Sequence, residues 1–116
     1  MKPELPEDVI HSFHLMWDNF PETVMLSHKS HQIMAVNKAG RLFGLAPGIF
    51  CNKVGSPESH KGCLAHKALA TGKTQTMSIH LEGRDAVTFW LPIEGFPDFY
   101  IHFAVGFTMN YKAADQ

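Results

Sequence analysis

The sequence predicts an α+β domain: a five-stranded antiparallel sheet with helices inserted after the second strand and an amphipathic helix in front. Three observations predict it. Apolar residues recur at helical spacing near the start, paired β-type runs follow at 23–28 and 32–37, and three longer β-type runs fill the chain after residue 73.

The leading helix spans about residues 7–19. Glu7 and Asp8 sit where acids favour the positive end of a helix, and Val9, Ile10, Phe13, Met16, Trp17 and Phe20 form its stripe before Pro21 stops it. An aromatic stripe of this kind packs on its own domain or on a partner. The expectation is that Phe13, Trp17 and Phe20 cover the outer sheet face near Ala104 and Gly106, or meet a second subunit.

"TVMLSH" and "QIMAVN" are separated by "KSH", a hairpin-sized connection. Asn37 is placed to cap "KAGRLFGL", in which Ala39, Leu42 and Phe43 are expected inside and Lys38 and Arg41 outside. Residues 46–57 are rich in Gly and Pro and read as loop. A longer helix is expected over about 57–71, with Ser56 as cap, Pro57 at its first position and Gly72 at its left-handed end. Leu64, Ala65, Ala68 and Leu69 form its buried face. Strands follow at 74–83, 85–95 and 98–111. In the last, Phe99, Ile101 and Phe103 alternate with Tyr100, His102 and Ala104, giving one bulky face and one narrow face.

The 116 residues suit one domain: leader and helix over 1–20, the α+β domain over 21–111, and a short tail over 112–116. A net charge of −1, with its basic residues scattered, gives no long-range attraction to nucleic acid or acidic membranes. The longest strongly apolar run, "FYIHFAVGF", is too short to span a membrane, and "MKPELPEDVI" has no signal-peptide core. Two cysteines are too few for a disulfide scaffold, so a cytoplasmic location with reduced thiols is expected.

The stretch "SPESHKGCLAHKALATGK" invites chemistry. A phosphate loop ending in Gly72-Lys73-Thr74 would need glycine at position 67, where Lys67 stands, and helix precedes strand rather than the reverse. His60, Cys63 and His66 are metal-ligand types, but on one helix they fan out too widely to share an ion, so no metal site is assigned. Cys51 and Cys63 flank a loop that a disulfide would pin, which makes them candidates for a thiol switch. His11, His14, His28, His31 and His80 read as polar decoration, and His102 as a satisfied core histidine. The inner face is expected to bring Met25, Ile33, Met77, Ile79, Phe89, Leu91, Ile101 and Phe103 together with Phe43, Leu64 and Leu69 as an apolar ligand pocket. Trp90 then falls on the opposite face, under the first helix or a partner.

"QIMAVNKAGRLFGL" resembles the second strand and following helix of PAS domains, and the order of elements over roughly 20–110 is similar to theirs. The resemblance implies a sensory or regulatory module that binds a small ligand between sheet and helices, or that mediates protein–protein signalling, without catalytic turnover. It also implies a homodimer through the N-terminal helix and a signalling partner, as in regulators of transcription. Some PAS domains hold haem on a histidine of the helix before the last three strands, which makes His66, and less directly His60, the haem candidates. The rival from another class is a small cone-shaped acid–base enzyme. It would need a buried carboxylate beside a histidine or tyrosine, whereas Asp85, Glu94 and Asp98 are expected in turns.

Overall fold

The computed structural model describes residues 3–53, 63–81 and 83–106. In chain order these form α1 (Glu7–Trp17), β1 (Val24–His28), β2 (Ile33–Val36), α2 (Lys38–Leu42), a single 3₁₀ turn at Cys51–Lys53, α3 (Ala65–Thr71), β3 (Gln75–Leu81), β4 (Arg84–Ile93) and β5 (Phe96–Val105). The five strands make one antiparallel sheet in the order β2-β1-β5-β4-β3. Hairpins join β1 to β2 and β3 to β4 to β5. The path from one sheet edge to the other runs through α2 and α3.

Both central pairings are long, β1–β5 in unbroken register and β4–β5 in register up to a shift between Pro92 and Ile93. Val24 lies opposite Phe103 and Leu26 opposite Ile101, while Phe89 lies opposite Phe103 and Trp90 opposite His102. Opposed residues of an antiparallel pair share a face. Val24, Leu26, Phe89, Leu91, Phe99, Ile101 and Phe103 therefore stand on one side. Met25, Ser27, Thr88, Trp90, Tyr100 and His102 stand on the other.

The first face belongs to α1. Phe13 is buried against Val24, Leu26, Ala35 and Phe99, and the Trp17 and Phe20 rings lie 5.3 and 5.7 Å from Phe103. The stripe read from the sequence, Met16 excepted, thus packs on this chain's own sheet, but on the bulky face and not near Ala104 and Gly106. A wide aromatic stripe buries more apolar area on large side chains than on a face of small and polar ones. Leu15 and Met16, on the far side of α1, stay 73% and 72% exposed.

The second face belongs to α3, where Ala65 and Ala68 are buried against Trp90 and Tyr100, flanked by Leu64, Leu69 and Met77. Small alanines let the helix sit close to two large rings. The left-handed end at Gly72 is as expected, with φ +67° and its N–H donating to the Ala68 carbonyl. The helix begins at Ala65, and the expected cap at Ser56-Pro57 lies outside the described residues.

α2 departs from expectation. Leu42 and Phe43 are exposed, and Gly40 is the residue buried. A Cβ on Gly40 would stand 2.3 Å from Val36 Cγ2, so the backbone itself presses on the strands and turns the following apolar pair outward. Among the described residues no helix is long and apolar enough to cross a membrane.

Candidate functional site

The sheet face under α3 carries the side chains with chemical potential, because strand alternation places polar and aromatic residues there together. Tyr100, Ser27 and Trp90 are buried. Trp90 stacks on His102 with ring centroids 4.8 Å apart. Thr88 Oγ1 lies 2.9 Å from His102 Nε2 and donates to the Phe103 carbonyl at 3.3 Å, so it accepts from the imidazole N–H. His102 is the satisfied core histidine that its position predicts.

One buried polar atom here, Trp90 Nε1, has no hydrogen-bond partner among the described residues, while Ser27 faces the Tyr100 hydroxyl across the strand pair. An orphaned buried donor costs about 1–3 kcal/mol, so such atoms mark places where another molecule can supply the missing bond.

At the rim, the β1–β2 turn brings in His31. Its φ of +73° lies in the left-handed region that non-glycine residues seldom adopt, and its N–H donates to the His28 carbonyl at 2.7 Å. The segment after α2, read as loop from its glycines and prolines, returns to the edge of β2. Gly48 N–H donates to Ile33 O, Ile33 N–H to Ile49 O and Cys51 N–H to His31 O, each at 2.8 Å. That ladder sets Cys51 beside His31, with Sγ 3.9 Å from Nδ1. Tyr100 Oη lies 3.3 Å from the same Nδ1. From α3, His66 Nε2 comes to 3.3 Å from His31 Nε2.

Electrostatics keep the inner part of this cluster neutral. Burial pushes the Tyr100 hydroxyl well above its ordinary value, reinforced by the Cys51 and Cys63 thiols nearby. Burial also pushes the Cys51 thiol up, with the Tyr100 hydrogen bond only partly opposing it. Cys51 and Cys63 are both free thiols, the first half-buried and the second exposed.

The pocket set read from the sequence divides between the two faces. Met25, Ile33, Met77 and Ile79 share the α3 side with Leu64 and Leu69, by register and packing. Phe89, Leu91, Ile101 and Phe103 are on the α1 side, where Phe89 stacks on Phe103 at 4.9 Å. Phe43 is exposed and lines neither. Trp90, expected under the first helix, lies under α3. Alternation within a strand defines two faces but says neither which helix takes which nor how neighbouring strands are registered, and the β3–β4 register sets Met77 opposite Thr88 rather than Phe89.

Haem does not fit His66, because that side chain is exposed and its ring edge meets His31 at the rim, outside the Trp90–Tyr100 interior. His60 lies outside the described residues. Among the described residues, no group of three His, Cys, Asp or Glu side chains is set to hold a metal ion.

Asp85 and Asp98 lie within β4 and β5, not in turns, and both are exposed. The buried carboxylate is Glu22, whose Oε2 accepts from the Gly106 N–H at 2.7 Å. A residue just after Pro21 and before a strand gave no sign of burial.

The fold is that of PAS domains. The PAS domain of BvgS from Bordetella pertussis superposes with a TM-score of 0.65 at 19% identity, covering 93% of each chain. A domain of an HTR-like protein from Haloarcula marismortui gives 0.60 at 17% identity, over 75% of this chain and 98% of its own. The photoactive yellow protein domain of the sensor histidine kinase Ppr from Rhodospirillum centenum gives 0.52 at 19% identity, over 83% of this chain and 95% of its own. No protein-family model and no curated protein sequence matches the chain.

Proposed function

We propose that this domain is a sensory or regulatory module of the PAS type, which holds a small ligand between α3 and the sheet and passes its state to a partner protein without catalytic turnover. The observation that carries the reading is the orphaned Trp90 Nε1, buried on the α3 side. Indole N–H only donates, so the ligand must present an acceptor to Trp90. Leu64, Leu69 and Met77 around it suit an otherwise apolar body. The Rhodospirillum neighbour belongs to a sensor histidine kinase, which agrees with a signalling role. Free thiols agree with a reducing, cytoplasmic setting. The exposed Leu15 and Met16 on α1 support self-association through the outer surface of that helix.

The test is a ligand-observed NMR screen of small acceptor-bearing aromatic and aliphatic molecules, followed by the Trp90 indole N–H resonance. Binders should shift that resonance, and Trp90→Phe should weaken them about tenfold, the worth of about 1.4 kcal/mol. Binders that leave the indole resonance in place and bind Trp90→Phe equally well would overturn the reading.

A further inference from the structure

The rim of the α3 face contains a second arrangement that the ligand reading does not use. His31, in the hairpin turn, and His66, on α3, are 35 residues apart in sequence, yet their Nε2 atoms stand 3.3 Å apart. Their ring centroids are separated by 5.3 Å and the ring planes differ by 27°. Two imidazoles bound through nitrogen to one tetrahedral ion, each at about 2.0–2.1 Å, place their nitrogens about 3.3 Å and their centroids about 5.2 Å apart. An in-line N–H···N hydrogen bond with the same nitrogen separation would put the centroids about 5.6 Å apart. Without an ion, a slightly bent N–H···N hydrogen bond spans the same separation, so the two rings are held at ligand spacing whether or not an ion is present.

The far side of the His31 ring supplies an independent observation. Tyr100 Oη lies 3.3 Å and Cys51 Sγ 3.9 Å from Nδ1. A metal-binding histidine commonly donates its other N–H to an oxygen, which fixes the tautomer and leaves the ligating nitrogen with its lone pair free. Tyr100 is buried, and its hydroxyl is placed to accept that N–H. Backbone bonds hold both sides of the site: Cys51 N–H to His31 O at 2.8 Å, and the Ala68 and Gly72 N–H bonds that close α3.

We propose that His31 and His66 bind a divalent transition-metal ion, Zn(II) being the type case, through their Nε2 atoms, with Tyr100 Oη accepting from His31 Nδ1–H. Two protein ligands from the described residues leave positions for water, so the ion should exchange readily and not be needed for folding. The site goes beyond the ligand reading, because it lies at the rim and asks nothing of Trp90.

The experiment is a calorimetric Zn(II) titration of the purified chain, with His66→Ala, His31→Asn and Tyr100→Phe. Asparagine is chosen at position 31 because it tolerates the left-handed backbone. The expected result is one site in the parent, weakened at least about tenfold in the His66 and His31 variants and about tenfold in Tyr100→Phe. Imidazole ¹⁵N shifts of His31 and His66 should move at Nε2 on adding Zn(II). Parent-like affinity in both histidine variants would overturn the proposal, since any binding would then belong to other histidines. Unchanged ¹⁵N shifts at both rings would overturn it equally, without reference to whether a small ligand binds Trp90.

Discussion

Asn37 Nδ2 donates to the Trp17 carbonyl at 3.0 Å, tying the last residue of α1 to the residue that starts α2. The same amide group reaches the Phe20 and Glu22 carbonyls, while Oδ1 accepts from the N–H groups of Val24 and Gly40. Read from sequence, Asn37 is a helix cap. In the structure it is a buried junction between helix, loop and strand. Replacing it by Ala removes these bonds and orphans several buried backbone groups at about 1–3 kcal/mol each. Asn37→Ala should therefore be among the most destabilising single changes, seen as a large drop in the urea midpoint. An unaltered midpoint would show that water replaces the side chain.

The Trp17–Phe20–Phe103–Phe89 array is the contact that docks α1 on the sheet. Truncation of Phe103 to Ala leaves a cavity shared by both elements and should cost about 3–5 kcal/mol. Truncating Leu15, on the exposed side of the same helix, should alter stability by less than about 0.5 kcal/mol. Equilibrium unfolding of the two variants side by side checks the assignment of α1's inner and outer faces.

That outer surface carries the self-association reading. Leu15→Glu with Met16→Glu should shift a dimer to monomer in sedimentation velocity while leaving the circular dichroism spectrum unaltered. A parent that is monomeric at high concentration, or a double variant that still dimerises, counts against it.

The two cysteines should separate by reactivity. Cys51 is half-buried with its thiol pushed up by burial, whereas Cys63 is exposed. Alkylation followed by mass mapping should label Cys63 first. The Cys51 rate should go on rising with pH beyond the ordinary thiol range, because only the thiolate reacts. Equal rates at the two sites would mean that the rim opens faster than the reagent attacks.

Asp18 joins α1 to α2 electrostatically, accepting from His14 Nδ1 at 2.8 Å and Arg41 Nη1 at 3.4 Å. The His14 hydrogen bond is the main reason its carboxyl sits below the ordinary carboxylate value, against a smaller opposing effect of burial. A depressed folded-state value means the contribution is present above the unfolded-state value and is lost as pH falls through the folded one. Asp18→Asn should thus lower stability modestly at neutral pH and converge with the parent in acid. A constant offset between the two curves would assign the effect to packing.

Much of the architecture was legible because local rules govern it. The α1 stripe, the two-residue alternation of β5, the Asn37 cap and the Gly72 stop each follow from spacing and backbone preference. The assignment of faces was not, since alternation is symmetric until a helix chooses a side. Phe103 and Trp90 exchanged places for that reason, and the β3–β4 register separated Met77 and Ile79 from Phe89 and Leu91. Leu42 and Phe43 were misread because the close approach of Gly40 depends on strands that the five-residue helix does not contain. The meeting of His31 with His66 was invisible for a different reason. It needs a left-handed turn, a loop laddered on β2 and a helix from across the sheet, none of which leaves a mark at either histidine.

The Glu22–Gly106 bond has a consequence in time as well as in space. Its partners are 84 residues apart, and Gly106 can take that place because a Cβ there would strike the Asp85 carbonyl at 2.5 Å. So distant a bond forms only after β1 has met β5, when most of the loop-closure entropy has already been lost. The clasp is expected on the late side of the folding barrier. Weakening it should leave the refolding rate nearly unaltered and hasten unfolding. Glu22 thus sets how long the assembled sheet lasts more than how quickly it assembles.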